Sequence, residues 1–79
     1  MKTNVQYFGM IADKLSKSSE EMEFDLKVLP MNLREYFEGK YPILSDMSYQ
    51  IAINQELTDT LERNVDLTEI ALLPPFAGG

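Results

Sequence analysis

The residues of this chain best suited to chemistry stand at its end, where the sequence reads LLPPFAGG. The prolines at 74–75 lack amide hydrogens and restrict φ, so we expect the backbone to leave the fold there in an extended form. Phe76 is expected to anchor this exit against the body of the protein or against a partner. Ala77, Gly78 and Gly79 carry almost no side-chain bulk. A tail of this kind is therefore suited to a channel that larger residues would block.

The reactive group of such a tail is the carboxyl of Gly79. It is ionised at neutral pH, and a carboxylate is a poor electrophile. Formation of an adenylate would activate it, and attack by a sulfur donor would then leave a thiocarboxylate. A thiocarboxylate is a sulfur nucleophile that needs no cysteine. We therefore predict that Gly79, with Gly78 beside it, is the catalytic part of the molecule, and that no side chain of this chain is catalytic.

The remainder of the sequence offers few other reactive groups. There is no cysteine and no histidine, which excludes disulfides, a thiol nucleophile, a Cys/His zinc site and imidazole acid–base catalysis. The carboxylates cluster at two places, and neither cluster has the spacing of a calcium-binding loop. We interpret both clusters as solvated surface and predict no metal site; they are Glu20, Glu21 and Glu23, and Asp59, Glu62 and Asp66.

Length and charge narrow the class of protein. The 79 residues suffice for one domain, which we place at residues 1–75, with an extended tail at 76–79. Seven basic and thirteen acidic residues give a net charge of −6, which argues against nucleic acid and favours a basic protein partner. We find neither a signal peptide nor an apolar run long enough to span a membrane, and we expect a cytoplasmic protein.

The hydrophobic pattern predicts alternating strands and helices. Alternation predicts strands at 3–8, 22–28, 49–53 and 70–73, and a turn at 54–55 opens a short hairpin towards Leu57. A short helix should follow Gly9. A longer helix from Leu33 to about Tyr41 should be capped by Asn32 and should bury one apolar stripe. We expect residues 58–68 to be irregular, with a short helical turn at Leu61.

This order of elements predicts an α+β roll, in which one mixed sheet is covered on one face by the longer helix. If Tyr7 and Leu72 point into the core, their neighbours Phe8 and Leu73 lie on the open face, and Leu57 can join them. Clustered exposed apolar residues usually mark a partner surface. Burial of these side chains at a sheet edge under a loop is the alternative.

At this point the sequence resembles the MoaD family, the small subunits of molybdopterin synthase. The resemblance covers nearly the whole chain and rests on three segments: YFGMIADKL, AINQEL and EIALLPPFAGG. It implies a ubiquitin-like β-grasp fold. The PP-x-x-GG ending separates this family from most other β-grasp proteins. Residues 65–68 depart from the Asp-Gly-Asp-like turn of many relatives, which puts the geometry of that loop in doubt.

The resemblance also implies a reaction cycle and its partners. A MoeB-like, E1-like adenylyltransferase would activate Gly79 with ATP and Mg²⁺, and sulfur would be loaded as a thiocarboxylate. The tail would then enter the active site of a MoaE-like large subunit, in a heterotetramer, and give its sulfur to cyclic pyranopterin monophosphate. Phe8, Leu57 and Leu73 would line the contact with the partners. No permanently bound cofactor is implied.

Three other functions are compatible with this sequence. A sulfur carrier of thiazole biosynthesis shares the Gly-Gly end and the fold, although such carriers are typically shorter and lack the two prolines. A ubiquitin-like modifier would use the same activation but would be attached to lysines of other proteins. A binding module with an inert tail would keep its function after deletion of the glycines.

Overall fold

Nine regular elements follow one another within residues 1–75, the part of the chain that the computed structural model describes. Among these residues no helix has the length and apolar character needed to cross a membrane. The elements are β1 (Lys2–Tyr7), α1 (Gly9–Leu15), β2 (Ser19–Glu23), β3 (Met31–Asn32), α2 (Leu33–Lys40), β4 (Gln50–Ile53), β5 (Glu56–Leu57), β6 (Thr60–Leu61) and β7 (Glu69–Leu73), with short 3₁₀ turns at Leu26–Val28 and Pro42–Asp46.

Five of the strands form one mixed sheet in the order β2-β1-β7-β4-β5. The first and last strands, β1 and β7, lie side by side in parallel, with Val5 opposite Ile70. The other neighbours are antiparallel, and β4 places Ile51 opposite Leu72. The last strand therefore lies at the centre of the sheet, held by hydrogen bonds on both edges. This arrangement confirms the predicted mixed sheet of a ubiquitin-like β-grasp fold.

Helix α2 covers one face of this sheet, as its apolar stripe predicted. Asn32 caps the helix by accepting a hydrogen bond from the backbone N–H of Glu35 at 3.0 Å. Leu33 and Phe37 are completely buried. The Phe37 ring meets the ring of Tyr7 edge to face, with 6.5 Å between the ring centres. The inward residues of β1, β4 and β7 belong to the same core, and buried side chains outside the five-stranded sheet, among them Ile11, Leu44 and Leu61, also contribute to it.

The prediction of one strand over residues 22–28 is wrong beyond Glu23. The backbone bends at Asp25, whose carboxylate accepts a hydrogen bond from the N–H of Lys27 at 2.9 Å. This local bond replaces the strand ladder and starts the 3₁₀ turn Leu26–Val28. Leu26 and Val28 are consequently 50% and 51% exposed instead of facing the core.

The prediction for residues 58–68 is also wrong in one respect. Leu61 lies on a short strand, β6, and not in a helical turn. It pairs antiparallel with Met31 of β3, and its side chain is completely buried. Burial of one leucine against a distant strand outweighs the polar character of its neighbours in the sequence.

The predicted turn at 54–55 is confirmed, and it also fastens the loop that precedes β7. Asn54 and Gln55 both have positive φ, at 51° and 69°, as a tight two-residue hairpin requires. The side-chain oxygen of Asn54 accepts hydrogen bonds from the backbone N–H groups of Thr68 and Glu69, at 2.8 and 3.2 Å. The start of the last strand is thus tied to the β4–β5 hairpin.

Candidate functional site

The uncovered face of the sheet carries an apolar surface, which we call the docking face. It consists of Phe8, Leu57 and Leu73 around two small residues of the central strands, Ala52 and Ala71. Cross-strand pairing brings them together, because Ala52 lies opposite both Leu57 and Ala71. Together these side chains line a shallow groove of about 330 Å³.

Within the described residues, the exposure of Phe8 and Leu57 contradicts the alternative that a loop covers these two side chains. Phe8 is 42% exposed and Leu57 is 52% exposed, whereas Leu73 is partly buried. Gln6, Gln55 and Glu69 also line the groove. An apolar centre with polar groups around it is the usual composition of a protein–protein contact. The structure therefore brings together the three residues predicted at this face, and their role in binding a partner stays a prediction.

The tail begins where β7 ends, beside the turn between β1 and α1. The backbone N–H of Phe8 donates to the carbonyl of Leu72 at 3.1 Å, which extends the ladder to the last residues of the strand. Gly9 follows with φ of +59°, in the left-handed region. A Cβ atom at Gly9 would lie 3.0 Å from Cγ of Pro74, tighter than ordinary van der Waals contact. Glycine at this turn thus allows the proline ring to pack directly against it.

The second proline of the exit, Pro75, accepts a hydrogen bond from Gln50. Gln50 lies opposite Leu73 in the ladder of β4 and β7, so the two side chains emerge on the same face of the sheet. Its Nε2 donates a hydrogen bond of 2.7 Å to the carbonyl oxygen of Pro75. Gln50 is not among the residues predicted from the sequence. Its place on the open face follows from alternation with Ile51, but its proximity to Pro75 depends on the pairing of β4 with β7.

A second groove lies on the α1 side of the tail base. Its volume is about 640 Å³, and its walls include Met10, Ile11, Met47 and the two prolines of the exit. Pro74 and Pro75 line this groove and directly follow Leu73, a residue of the docking face. Apolar surface therefore continues from the open sheet face around the base of the tail.

The predicted reactive residues, Gly78 and Gly79, lie outside the described residues, as does the predicted anchor Phe76. Within residues 1–75, no group of three or more Asp or Glu side chains is arranged to hold a metal ion. The described part of the chain thus contains the docking face and the prolines from which the tail begins, and the chemistry predicted for the tail stays a prediction.

Glu20 corrects the interpretation of the acidic clusters as solvated surface. Its carboxylate accepts hydrogen bonds from the hydroxyls of Tyr7 and Tyr41, at 2.6 and 2.5 Å. Lys17 and Lys40 lie 3.7 and 3.8 Å from its other oxygen. Burial alone would raise the pKa of Glu20, but the two hydroxyls and the two lysines outweigh it and lower the pKa. This network joins β1, β2 and the end of α2, and it is structural.

Asp59 is a second exception, because it is paired rather than simply solvated. The guanidinium Nε of Arg34 donates to its carboxylate at 3.1 Å. Both side chains are partly exposed, so this ion pair stabilises the fold only weakly. It joins the start of α2 to the segment that leads into β6, and neither residue lines the docking face or the exit.

Comparison with solved structures identifies the same fold. The chain matches SAMP1 from Haloferax volcanii with a TM-score of 0.67 and 17% sequence identity, over 100% of both chains. It matches a putative molybdopterin converting factor, subunit 1, from Pyrococcus furiosus with the same TM-score and identity, over 95% of this chain and 98% of that one. At this identity the likeness establishes a common fold.

Comparison of sequences identifies the family, although no protein-family model matches the chain. A molybdopterin synthase sulfur carrier subunit of Caenorhabditis briggsae is 33% identical over 86 aligned residues, covering 100% of this chain and 99% of the relative. The protein of that name from Mycobacterium tuberculosis (strain ATCC 25618 / H37Rv) is 33% identical over 82 residues, with the same coverage. Full-length similarity at this level, on a matching fold, shows that the chain belongs to the MoaD family of molybdopterin synthase sulfur carrier subunits.

Proposed function

We propose that this protein is the sulfur carrier subunit of a molybdopterin synthase, and that the Gly79 carboxyl carries the sulfur. The observation that carries the proposal is the full-length similarity to two relatives named as sulfur carrier subunits of that enzyme. The geometry supports it. The last strand is the central strand of the sheet, and the chain leaves it beside an exposed apolar face.

The proposed chemistry takes place at the terminal carbonyl carbon of Gly79. A terminal oxygen first attacks the α-phosphorus of ATP, releasing pyrophosphate and leaving an acyl adenylate. A sulfur nucleophile at the oxidation level of sulfide then displaces AMP, which forms the carbon–sulfur bond of a thiocarboxylate. AMP is a far better leaving group than oxide, and this difference is the reason for the adenylation.

Transfer of the sulfur begins at the substrate and ends with hydrolysis at the Gly79 carbonyl carbon. The thiocarboxylate sulfur bonds to a carbon of cyclic pyranopterin monophosphate, and the oxygen that this carbon carried leaves with the electron pair of the broken carbon–oxygen bond, so that a thioester links carrier and substrate. Water then cleaves the acyl–sulfur bond, the sulfur stays on the product, and the Gly79 carboxylate is restored. Two such transfers supply the two sulfurs of the molybdopterin dithiolene.

The chain itself contributes binding and presentation to this cycle. The sequence has no histidine, the commonest general acid–base residue, and we propose that the partners supply the general acids and bases. We assign the docking face to these partners: a MoaE-like large subunit during transfer, and a MoeB-like adenylyltransferase during loading. A carrier that visits two enzymes in turn is expected to use one exposed surface for both, since both need the same tail.

Mass spectrometry of the intact protein tests the proposal. The protein isolated from its own cells should contain a fraction in which one oxygen at the C-terminus is replaced by sulfur. That fraction should disappear on incubation with the large subunit and cyclic pyranopterin monophosphate, as molybdopterin forms. A variant that ends at residue 77 is the matched control, because it keeps residues 1–75 and lacks the reactive end.

The alternatives give different results in the same experiment. A thiazole-pathway carrier would gain sulfur but would yield no molybdopterin with this substrate. A protein modifier would be found attached to lysines of other proteins, and an inert tail would never gain sulfur. Absence of molybdopterin with a sulfur-loaded carrier and an active large subunit would contradict the proposed function.

A further inference from the structure

The direction in which the tail leaves the fold is set by two contacts on the prolines of the exit. On one side, the Pro74 ring packs against Gly9 so closely that a Cβ atom there would lie 3.0 Å from it. On the other side, Nε2 of Gln50 donates to the carbonyl of Pro75 at 2.7 Å. Residues 74–75, which directly follow β7, are thus contacted from both sides.

The hydrogen bond from Gln50 acts at the last peptide group before the tail. The carbonyl oxygen of Pro75 lies in the plane of the peptide bond through which the tail begins. A donor that fixes this oxygen therefore fixes the orientation of that plane. A small rotation there would be amplified over the following four residues, because a rotation displaces distant atoms more than near ones.

Stability alone does not account for a glutamine at this position. Oε1 of Gln50 is buried, and it has no hydrogen-bond partner among residues 1–75. Burying a carbonyl oxygen without a partner costs free energy, whereas an apolar side chain of the same length would avoid that cost. The contact from Nε2 to Pro75 is what a glutamine adds and a methionine cannot.

Resting on the proposed function, we propose that Gln50 is a positioning residue for sulfur transfer, which aims the tail by holding the Pro75 carbonyl. Gly9 provides the opposite wall, against which the Pro74 ring rests. The residue does not touch the reacting atoms. It acts through the backbone, by limiting the orientations from which Gly79 reaches the partner's active site.

The test compares Gln50→Met with the wild-type protein. Methionine has a similar length and no donor, so the buried oxygen and the hydrogen bond are removed together. We expect a melting temperature equal to or above that of the wild type, and a dissociation constant for the large subunit within about twofold. The rate of transfer from preformed thiocarboxylate should fall about tenfold, because misplacement by about 1 Å can cost up to a hundredfold in rate.

Two further variants make the result specific. Gln50→Glu keeps the shape but presents only acceptor oxygens to the Pro75 carbonyl, so it should transfer as slowly as the methionine variant. Arg63→Met is the control: it removes a donor to another backbone carbonyl, that of Leu29 at 2.8 Å, away from the exit. Its transfer rate should equal that of the wild type. If Gln50→Met does not fold, the transfer rate of Gln50→Glu decides the test.

The outcomes separate this inference from the function on which it rests. If wild-type protein loaded with sulfur yields no molybdopterin, the proposed function fails. If the wild type is active and both Gln50 variants transfer at its rate, the positioning role is refuted. A loss of affinity for the large subunit as large as the loss of rate would also overturn it, because Gln50 would then be a contact residue.

Discussion

Replacing Leu57 with glutamate should weaken docking while leaving the fold intact. Leu57 lies on β5 at the edge of the sheet and is 52% exposed, so a carboxylate there stays in water in the free protein. In the complex, the exposed half of the leucine would be buried. Burying a whole leucine is worth about 1.5–3 kcal/mol, so the lost apolar contact amounts to about 1 kcal/mol.

The introduced charge adds to this loss. Burial of a carboxylate against apolar groups costs at least another 1 kcal/mol or so, even where water partly follows it. The total of about 2 kcal/mol corresponds to an increase of about 30-fold in the dissociation constant. Phe8→Glu and Leu73→Glu are expected to act in the same direction, since both residues line the same groove.

Isothermal titration of the large subunit measures this effect, and the chain offers a matched control. Leu26 is 50% exposed, nearly the same as Leu57, but lies in the 3₁₀ turn Leu26–Val28 and not on the docking face. Leu26→Glu changes the net charge equally and should bind within about twofold of the wild type. Folded Leu57→Glu protein that binds as tightly as the wild type would refute our assignment of the docking face. If both variants weakened binding equally, the cause would be the change in net charge and not the position of Leu57.

Three further predictions concern the core, the Glu20 network and the tail. Phe37→Ala removes a completely buried ring and should lower the free energy of unfolding by about 3–5 kcal/mol, measured by denaturant titration; an unchanged midpoint would place α2 elsewhere. The lowered pKa of Glu20 stabilises the fold above its ordinary pKa of 4.5, and this contribution is lost as the pH falls through the lower folded-state value. Glu20→Gln should therefore be less stable than the wild type at pH 7, and the difference should shrink below about pH 4.5; a constant difference would contradict the assigned pKa shift. Deleting Gly79, or adding one residue after it, should nearly abolish molybdopterin formation without changing affinity for the large subunit, because each moves the carboxyl by about 3.3 Å; full activity of the extended protein, without trimming, would exclude Gly79 as the carrier.

Local patterns in the sequence were sufficient for the elements whose causes are local. Asn32 predicts the start of α2 because a capping side chain acts within one turn of its own helix. The alternation of Ile70 and Leu72 with their neighbours predicts β7, and it places Leu73 on the open face. Both predictions are confirmed, since neither depends on which strands are neighbours.

Other features depend on distant parts of the chain, and there the sequence was insufficient. The alternating pattern continues through Leu26 and Val28, yet the bond from Lys27 to Asp25 bends the backbone before they can pair. Leu61 is buried because β6 meets β3, about thirty residues earlier in the chain. The periodicity of a strand predicts which of its side chains share a face, but it does not predict which other strand pairs with it.

The same limit applies to the candidate site. Phe8, Leu57 and Leu73 could be placed on one face from alternation and a predicted hairpin. Gln50 could be placed on that face too, but its contact with Pro75 follows only from the register of β4 against β7. A side-chain contact between two neighbouring strands cannot be predicted until the register of those strands is known.

The docking face and the contacts that hold the two prolines share strands β4 and β7. Leu73 belongs to the docking face, its cross-strand neighbour Gln50 holds Pro75, and four residues follow. Four residues reach at most about 13 Å. Under the proposed function, an active site that receives Gly79 must therefore lie within roughly that distance of Pro75, which is beside the docking face. If both proposals hold, a partner that binds the docking face would also set the direction from which Gly79 reaches its active site, because one sheet carries Leu73 and Gln50.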